Sequence, residues 1–390
     1  MKKFIKKIII RLNLIDILGI FFIIFRVFPI KNNKIVFISY FGKGYGDNPK
    51  YIAEKLIDAN KNYDLVWLVN NTSDTAFPDE IRKVKLRSLK AFYELATAKV
   101  WVNNSRFQTY ILKRKKQYYI QTWHGSLALK KIEYDAEDKL NEYYRKVMKH
   151  DTKQIDLMLS NSTFCTEMYK RAFRYSGEIQ EFGSPRNDIL IQDHQKLRNK
   201  IINLFQIKEE KILLYAPTFR QAYTKNPYDI DFENLKNVLE KQTGHTWKII
   251  IKLHPIIATK SELINGMENV INASSYGDIQ ELICASDLLI TDYSSTMFEA
   301  MIANKPVVLY ANDIENYNEE RGTYFNLQEL PFPLCENNDE LFKLLNTTKL
   351  KDIINSYSDF KKQVGLNETG KASQEAANKI IEITSHEKRA

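Results

Sequence analysis

The sequence has few cysteines, and they form no pattern typical of metal or disulfide chemistry. Its three cysteines, Cys165, Cys284 and Cys335, are scattered, and no two of them form a C-x-x-C pair. This spacing argues against a disulfide framework and a zinc ribbon, and it fits a protein of the reducing cytoplasm. No clustered histidine or cysteine spacing is present either. We therefore expect no bound metal ion and no cofactor.

Two common nucleotide-binding motifs are also missing. The chain has neither the G-x-G-x-x-G spacing of dinucleotide-binding folds nor the Walker G-x-x-x-x-G-K-[ST] pattern. It does have a glycine-rich segment, Tyr40–Lys50, after the first predicted strand. Glycines there let the backbone approach an acceptor substrate closely, and a plain flexible turn explains them equally well.

The first thirty residues lack an apolar run long enough to cross a membrane. The run Ile17–Phe25 lies between Asp16 and Arg26, whereas a spanning helix needs about 20 apolar residues. The segment Arg26–Ile30 offers no small-residue site for signal cleavage. Five basic residues precede the run: Lys2, Lys3, Lys6, Lys7 and Arg11. We expect residues 1–30 to form an interfacial helix on an anionic membrane surface; the alternative is a helix packed on the protein itself.

Size and composition indicate an ordinary globular protein of more than one domain. The chain has 390 residues, of which 44% are hydrophobic and 27% charged. A chain of this length usually forms two domains. Its net charge of +9 suits an anionic membrane, a nucleotide diphosphate or a nucleic acid about equally.

From Lys34 onward, short apolar runs alternate with helical patterns, which is typical of parallel sheets with crossover helices. We place the seam between the domains at Pro185–Gln206, where the turn-rich segment Gly183–Asp188 precedes a polar helix. We predict an α/β protein of GT-B type, with two Rossmann-like parallel-sheet domains facing a cleft that holds the active site. The predicted parts are residues 1–30 (membrane-associating segment), 31–190 (acceptor domain) and 191–390 (donor domain with a helical C-terminal tail).

His124 is the first candidate for chemistry. It lies in Gln121–Gly125, at the end of the apolar run Tyr118–Ile120, and a helix is predicted over Leu127–Lys149. Histidine suits general-base catalysis because its pKa lies near neutral pH. A buried histidine that bonds only to backbone is the alternative, but the adjoining Gly125 and the polar loop favour a functional role.

A second group of residues suits phosphate binding. His254 and Lys252 follow the predicted strand Trp247–Leu253, and Arg220 follows the strand Lys211–Ala216. Arginine binds phosphate in a bidentate manner. A single surface cation is more often simply solvated, but three of them at strand ends together indicate a phosphate-binding site.

The third group follows the predicted strand Leu288–Thr291. Ser294, Ser295 and Thr296 are placed to cap a helix whose N–H groups would meet a diphosphate, and Glu299 one turn later could hold ribose hydroxyls. Ordinary helix capping is the plainer explanation. Asp292 has no evident partner for a metal site.

Together these motifs resemble the CDP-glycerol glycerophosphotransferase family of teichoic-acid and capsule enzymes. The matching segments occur in the family's order along most of the chain: Phe28–Ile30 with Lys34–Phe37, Gly42–Lys50, Trp123–Gly125, Gly183–Asp188, Ala216–Arg220, Lys252–Pro255 and Thr291–Ser295. One departure is Ser126–Lys130, where many relatives have Thr-Pro-Leu-Lys. The acceptor is therefore not inferred from those relatives.

The resemblance implies transfer of an alditol phosphate from CDP-glycerol or CDP-ribitol to a hydroxyl of a lipid-linked polysaccharide acceptor, with release of CMP. It also implies peripheral attachment to the cytoplasmic face of the cell membrane; nucleic acid is not an expected partner, and the oligomeric state is left open. The predicted catalytic residues are His124, the base, and His254. The predicted substrate-binding residues are Gly125, Arg186, Arg220, Lys252, Asp292, Ser294, Ser295, Thr296 and Glu299.

Two other functions are compatible with the residues alone. A GT-B nucleotide-sugar glycosyltransferase would use the same fold to form a glycosidic bond. A non-enzymatic membrane or nucleic-acid binder would use only the positive charge, and the basic run Lys113–Lys116 beside Tyr118 is the one hint of such a surface.

Overall fold

A computed structural model describes residues 14–125, 127–218, 229–253, 270–314 and 322–385. The described residues divide into two compact units. The first unit draws on Met1–His124, Glu133–Arg186 and Lys371–Ala390, and the second on Gly125–Ile132 and Asn187–Gly370.

The first unit is built on a seven-stranded parallel sheet. Its strands are β1 (Lys31–Ile38), β2 (Asp64–Val69), β3 (Ile81–Lys85), β4 (Ala98–Asn103), β5 (Tyr118–Gln121), β6 (Leu157–Leu159) and β7 (Glu178–Gln180), in the order β3-β2-β1-β4-β5-β6-β7. The central strand β4 is wholly buried, β1 is buried from Lys34 to its end, and β5 is buried from Tyr119 to its end. Continuous apolar runs are what a parallel sheet covered on both faces requires.

Helix α1 (Leu14–Ile24) and a 3-10 helix over Phe25–Val27 precede β1. The described helices between the strands are α2 (Asp47–Asp58), α3 (Leu89–Thr97), α4 (Glu142–Thr152) and α5 (Thr163–Ala172), with a 3-10 helix over Glu133–Lys139. Side chains cap several of them: the Ser88 and Ser162 hydroxyls accept from the backbone N–H groups of Ala91 and Cys165. Such caps fix where each helix begins.

The second unit repeats the plan with six parallel strands. These are β8 (Lys211–Ala216), β9 (Trp247–Ile251), β10 (Val270–Asn272), β11 (Leu288–Thr291), β12 (Val307–Tyr310) and β13 (Leu334–Cys335), in the order β10-β9-β8-β11-β12-β13. The α-helices among its described residues are α6 (Gln195–Phe205), α7 (Phe232–Thr243), α8 (Ile279–Ala285), α9 (Thr296–Ile302), α10 (Asn338–Thr347), α11 (Leu350–Ile353) and α12 (Tyr357–Gln363). The predicted class, two Rossmann-like α/β domains, is confirmed.

The C-terminal helix α13 (Ala372–Ser385) differs from the prediction, which placed the whole tail in the second domain. The structure groups it with the first unit. Ala376, Ala377 and Ile380 are fully buried in the first unit's core together with residues of β1, β2 and β4. The Tyr63 and Thr384 hydroxyls lie 3.1 Å apart. The chain thus returns to the unit in which it began.

The predicted long helix Leu127–Lys149 is replaced by shorter elements. The segment Gly125–Ile132 belongs to the second unit. Within it, Lys130 forms an isolated antiparallel bridge with Thr323 instead of a helical turn. Glu133 has a φ of 52°, which interrupts a right-handed helix. Helix α4 begins only after Asn141, whose side chain accepts from the N–H of Tyr144.

Candidate active site

The first group of candidate residues lies at the carboxyl edge of the first sheet. Strands β1 and β4 are neighbours there although two other strands separate them in sequence. Ligands of open α/β sheets bind beyond the carboxyl ends of strands at such a reversal. Asn104 directly follows β4, and His124 comes three residues after β5.

The half-buried His124 is held in one tautomer. Its Nδ1 atom lies 2.6 Å from the main-chain oxygen of Asn104. A carbonyl only accepts, so Nδ1 carries the proton and neutral His124 has its lone pair at Nε2. Burial lowers the pKa of His124 below its ordinary value, although the Asn104 carbonyl and the Asp47 carboxylate act in the opposite direction. The neutral form, which can accept a proton, therefore predominates at pH 7.

An ion pair between Asp47 and Arg186 lies close to this histidine. Both side chains are buried, and the Tyr40 hydroxyl donates to Asp47 at 2.6 Å. The Tyr40 ring meets the imidazole of His124 edge-on, with 5.5 Å between centroids. Burial alone would raise the pKa of Asp47, but the charge of Arg186 and bonds from Asn104 and Tyr40 outweigh it and hold the pKa below its ordinary value. Arg186, predicted to bind substrate, has a protein carboxylate as a partner.

Asn48 ties three separate segments together at this place. Its side-chain amide donates to the carbonyls of Thr122 and Trp123 at 3.3 and 3.2 Å, and its oxygen accepts from the Arg186 backbone N–H at 3.0 Å. The sequence analysis did not single out the side chains of Tyr40, Asp47, Asn48 and Asn104. Part of the signal was available, because Tyr40 and Asn104 come within two residues of the ends of β1 and β4, whereas Asp47 and Asn48 begin α2 within the glycine-rich segment Tyr40–Lys50.

Backbone strain is concentrated around these residues. Tyr40, Phe41, Asp47 and Trp123 have φ values of 43°, 57°, 60° and 50°, in the left-handed region that side chains disfavour. Gly125 follows with a φ of 125°, where any side chain would be strained. Such conformations persist where the surrounding structure enforces them, and they cluster at functional sites.

The second group of candidates lies at the carboxyl edge of the second sheet, where β8 and β11 are neighbours. The Ser294 hydroxyl oxygen accepts from the N–H of Thr296, which is the first residue of α9, at 3.3 Å. The two hydroxyls lie 2.8 Å apart. Ser294, Ser295 and Thr296 are all half-buried. Gly125 belongs to this unit as well. It lies close to these residues, because a Cβ atom added to it would be 3.9 Å from the Ser295 hydroxyl oxygen.

Three predicted substrate-binding residues of this unit have structural partners. The buried Asp292 carboxylate accepts from the backbone N–H groups of Thr218 and Tyr293, and it thereby joins the loops after β8 and β11. The Lys252 ammonium donates to the carbonyls of Ser274 and Tyr276, and burial lowers the pKa of Lys252. Glu299 is buried and accepts from the Gln280 amide at 2.7 Å. The three side chains therefore have protein partners, and their role in substrate binding stays a prediction.

Two predicted site residues, His254 and Arg220, lie outside the described residues, as does Ser126. Within the ranges that are described, no three or more histidine, cysteine, aspartate or glutamate side chains come together in a way that could hold a metal ion.

Most of the chain matches the model of one protein family. The model described as "CDP-Glycerol:Poly(glycerophosphate) glycerophosphotransferase" matches residues 20–382. The resemblance seen in the motifs is thereby confirmed.

Individual relatives agree with this match. The chain is 32% identical to a teichoic acid poly(glycerol phosphate) polymerase of Bacillus spizizenii, over 94% of this chain and 97% of that protein. It is 31% identical to a teichoic acid glycerol-phosphate transferase of Staphylococcus aureus, over 90% and 93% of the two chains. By contrast, it spans only 49% of the length of the Bacillus subtilis polymerase.

A solved structure shares the fold. A histidine-to-asparagine variant of the wall teichoic acid polymerase TagF with CDPG superposes with a TM-score of 0.84 at 29% identity, covering 100% of this chain and 99% of the other.

Proposed function

The chain belongs to the CDP-glycerol:poly(glycerophosphate) glycerophosphotransferase family, and we propose that it transfers glycerol phosphate from CDP-glycerol to a hydroxyl of a teichoic-acid acceptor, releasing CMP. The relatives named as polymerase and transferase support this reaction. The observation that carries it is the geometry of His124: a neutral imidazole at a strand end, protonated on Nδ1, with Nε2 left to accept a proton.

In the proposed reaction, Nε2 of His124 takes the proton of the acceptor hydroxyl. The oxygen forms a bond to the phosphorus of the glycerol phosphate group, and the bond from that phosphorus to the oxygen of CMP breaks. The electron pair leaves with CMP, whose phosphate carries the charge. Phosphoryl transfer depends mainly on positioning and charge stabilisation, so one base and a set of phosphate-binding groups suffice. We assign the donor's phosphates to the second unit, through the predicted residues Arg220, His254, Ser294 and Ser295.

The experiment that tests this function is a donor screen. Purified protein is incubated with an acceptor analogue and with CDP-glycerol, CDP-ribitol or UDP-sugars, and the release of CMP or UDP is measured. We expect CMP from CDP-glycerol, and a loss of about 10²–10⁴-fold in His124→Gln, as is typical when a general base is removed. His150→Gln is the matched control, because that half-buried histidine of the same unit binds the Ile111 carbonyl instead.

Each outcome of the screen has a defined meaning. Release of UDP without CMP would contradict the proposal and identify a glycosyltransferase. Turnover of CDP-ribitol in preference to CDP-glycerol would keep the reaction type and change the alditol. Full activity of His124→Gln would remove this residue as the base.

We also propose that the protein acts as a peripheral protein on the cytoplasmic face of the cell membrane, on a lipid-linked teichoic-acid or capsule acceptor. No helix among the described residues is both long and apolar enough to cross a membrane. In the α1 region, Phe22 is fully buried, with its ring 5.8 Å from that of Phe92. The neighbouring Phe21, Ile24 and Val27 remain 48%, 54% and 79% exposed. An apolar surface of this kind suits the acyl boundary of a bilayer.

Flotation with anionic phospholipid vesicles tests the membrane proposal. Ile24→Asp with Val27→Asp should release the protein from vesicles, because two charges would enter the acyl boundary. Leu204→Asp is the control, since Leu204 on α6 is equally exposed at 54%. Deleting residues 1–28 is a less clean test, because Phe28 packs on Tyr93 with 5.4 Å between ring centroids. Binding that survives the double substitution would assign the membrane contact to another surface.

A further inference from the structure

Trp123 precedes the candidate base and is held in a conformation that tryptophan disfavours. Its φ is 50°, in the left-handed region that residues with a side chain rarely adopt unless the surrounding structure enforces it. Three hydrogen bonds enforce it. The Trp123 N–H donates to the Gln121 side-chain oxygen at 2.9 Å. The Trp123 carbonyl accepts from Asn48 at 3.2 Å and from the Thr122 hydroxyl at 3.1 Å.

The enforced conformation lays the indole on the imidazole. The ring centroids of Trp123 and His124 are 4.3 Å apart, and the planes differ by 28°. Adjacent side chains of an extended strand would point to opposite faces of the sheet, so the stacking depends on the left-handed residue. The indole is only 7% exposed and therefore shields one face of the imidazole from water.

Behind the indole lies a buried cluster of charges. The Arg106 guanidinium carbon is 5.7 Å from the Trp123 ring centroid and 4.3 Å from that of Phe173, whose ring meets the indole edge-on at 4.9 Å. Arg106 is paired with Glu133 at 2.6 Å and with Asp151 at 3.0 Å. All three charged side chains are no more than 2% exposed.

Such a cluster is a poor source of stability. Desolvation of buried ions commonly offsets their attraction, and apolar replacements of similar volume are often as stable. A buried network of hydrogen-bonded charges does, however, make its surroundings rigid. The rings of Trp123 and Phe173, which pack against Arg106, are therefore held in fixed positions. The indole is thus held by Arg106 and Phe173 as well as by its backbone bonds.

We propose that Trp123, supported by Arg106, is a positioning residue that sets the plane of the His124 imidazole and so directs Nε2 toward the acceptor hydroxyl. This rests on the proposed role of His124 as the base. The Asn104 carbonyl fixes the tautomer, and the indole fixes the rotation of the ring. A base misplaced by about 1 Å can lose on the order of 10²-fold in rate.

The test compares Trp123→Leu with Trp123→Phe. We expect Trp123→Leu to lower kcat by about 10–100-fold. The KM for CDP-glycerol should change less than about threefold, because Trp123 is not among the residues proposed to bind the donor. Trp123→Phe keeps an aromatic face and should recover most of the loss. Trp67→Leu is the control: Trp67 is another buried tryptophan of the first unit, but its ring stacks on Phe37, with 5.4 Å between centroids.

A second readout does not depend on activity. The His124 ring is titrated by NMR in the intact protein, and in Trp123→Leu its pKa should rise toward the ordinary value because water reaches the uncovered face. The charged groups that act on this ring are Asp47, Arg186 and Glu133, and they are unchanged in the variant. Arg106→Lys should shift the titration in the same direction to a smaller extent, because lysine lacks the planar fork that pairs with both carboxylates.

The outcomes separate this inference from the proposed function. An unchanged His124 titration and kcat in Trp123→Leu would overturn the positioning role, even if His124→Gln is inactive. Active His124→Gln would instead overturn the base assignment, whatever the titration shows. A loss of kcat in Trp67→Leu as large as in Trp123→Leu would reduce the effect to general destabilisation and also overturn the positioning role.

Discussion

The Nδ1 atom of His124 lies 2.6 Å from the main-chain oxygen of Asn104, the residue that directly follows β4. Because β4 and β5 are adjacent in register, with Asn103 opposite Gln121, the carbonyl and the imidazole are presented by two rigid strands. The sheet therefore determines which nitrogen of His124 is the base.

The first prediction concerns the pH dependence of the reaction. Burial lowers the pKa of His124, and the neutral form is the active base. The acid limb of kcat/KM should therefore fall below the ordinary histidine pKa of about 6.5. Activity is then constant through pH 7 and is lost as pH falls through the folded-state pKa. A pH–rate profile of the wild type measures this.

The charged neighbours of His124 provide the control for that profile. Asp47 raises the pKa of His124, whereas Arg186 lowers it. Asp47→Asn removes the carboxylate that raises the pKa of His124, so the acid limb of this variant's kcat/KM profile should move to lower pH. His150→Gln should leave the limb in place. An acid limb above pH 7 in the wild type would contradict the assignment.

The second prediction concerns the buried pair Asp47–Arg186. Asp47→Asn leaves the Arg186 charge buried without its carboxylate, which should cost about 3–5 kcal/mol of unfolding free energy at pH 7. The pKa of Asp47 is lowered in the folded state, so the pair's contribution is present above the unfolded pKa. It is lost as pH falls through the folded value.

Urea unfolding at pH 7 and at pH 3 measures this difference, which should shrink at the lower pH. The control is Asp58→Asn, which breaks a solvent-exposed pair with Lys55 and should cost less than about 1 kcal/mol. Equal costs for the two variants would show that burial of the first pair has no energetic consequence.

Much of the fold could be predicted because buried strands of a parallel sheet are continuous apolar runs. The strands Lys211–Ala216 and Leu288–Thr291 were predicted with the bounds that the structure has. The helix predicted over Leu127–Lys149 was wrong, because a left-handed Glu133 and a cap at Asn141 interrupt a pattern that is helical in composition alone.

Long-range pairings could not be read from local pattern. His124 was found because a strand end precedes it, but its neighbours Asp47 and Arg186 are 139 residues apart in sequence. Asp292 was predicted to bind substrate, which stays a prediction; the structure adds that its carboxylate accepts from backbone N–H groups after β8 and β11. Nothing in the local sequence distinguishes these two uses of a strand-end aspartate.

The third prediction concerns the turn after β1. Gly42 has a φ of 82°, and a Cβ there would lie 3.1 Å from a Leu86 methyl carbon and 3.2 Å from the Asn70 backbone nitrogen. Gly42→Ala should therefore destabilise the protein by about 1–3 kcal/mol through strain and crowding. Gly46→Ala is the matched control: its backbone is extended and nothing lies within 4 Å. Chemical denaturation compares the two, and a loss in Gly46→Ala as large as in Gly42→Ala would contradict this account of the turn.

The fourth prediction concerns helix α13, which belongs to the first unit although it ends the described chain. Ile380 is fully buried in that unit's core, so Ile380→Ala should cost about 2–5 kcal/mol. Asn378→Ala, on the exposed face of the same helix, should change stability by less than about 0.5 kcal/mol. Hydrogen exchange followed by mass spectrometry locates the effect: amides of β1 and β4 should lose protection in Ile380→Ala, while those of β8 and β11 keep theirs. If protection is lost in β8 and β11 instead, the helix stabilises the second unit, as the sequence alone had suggested.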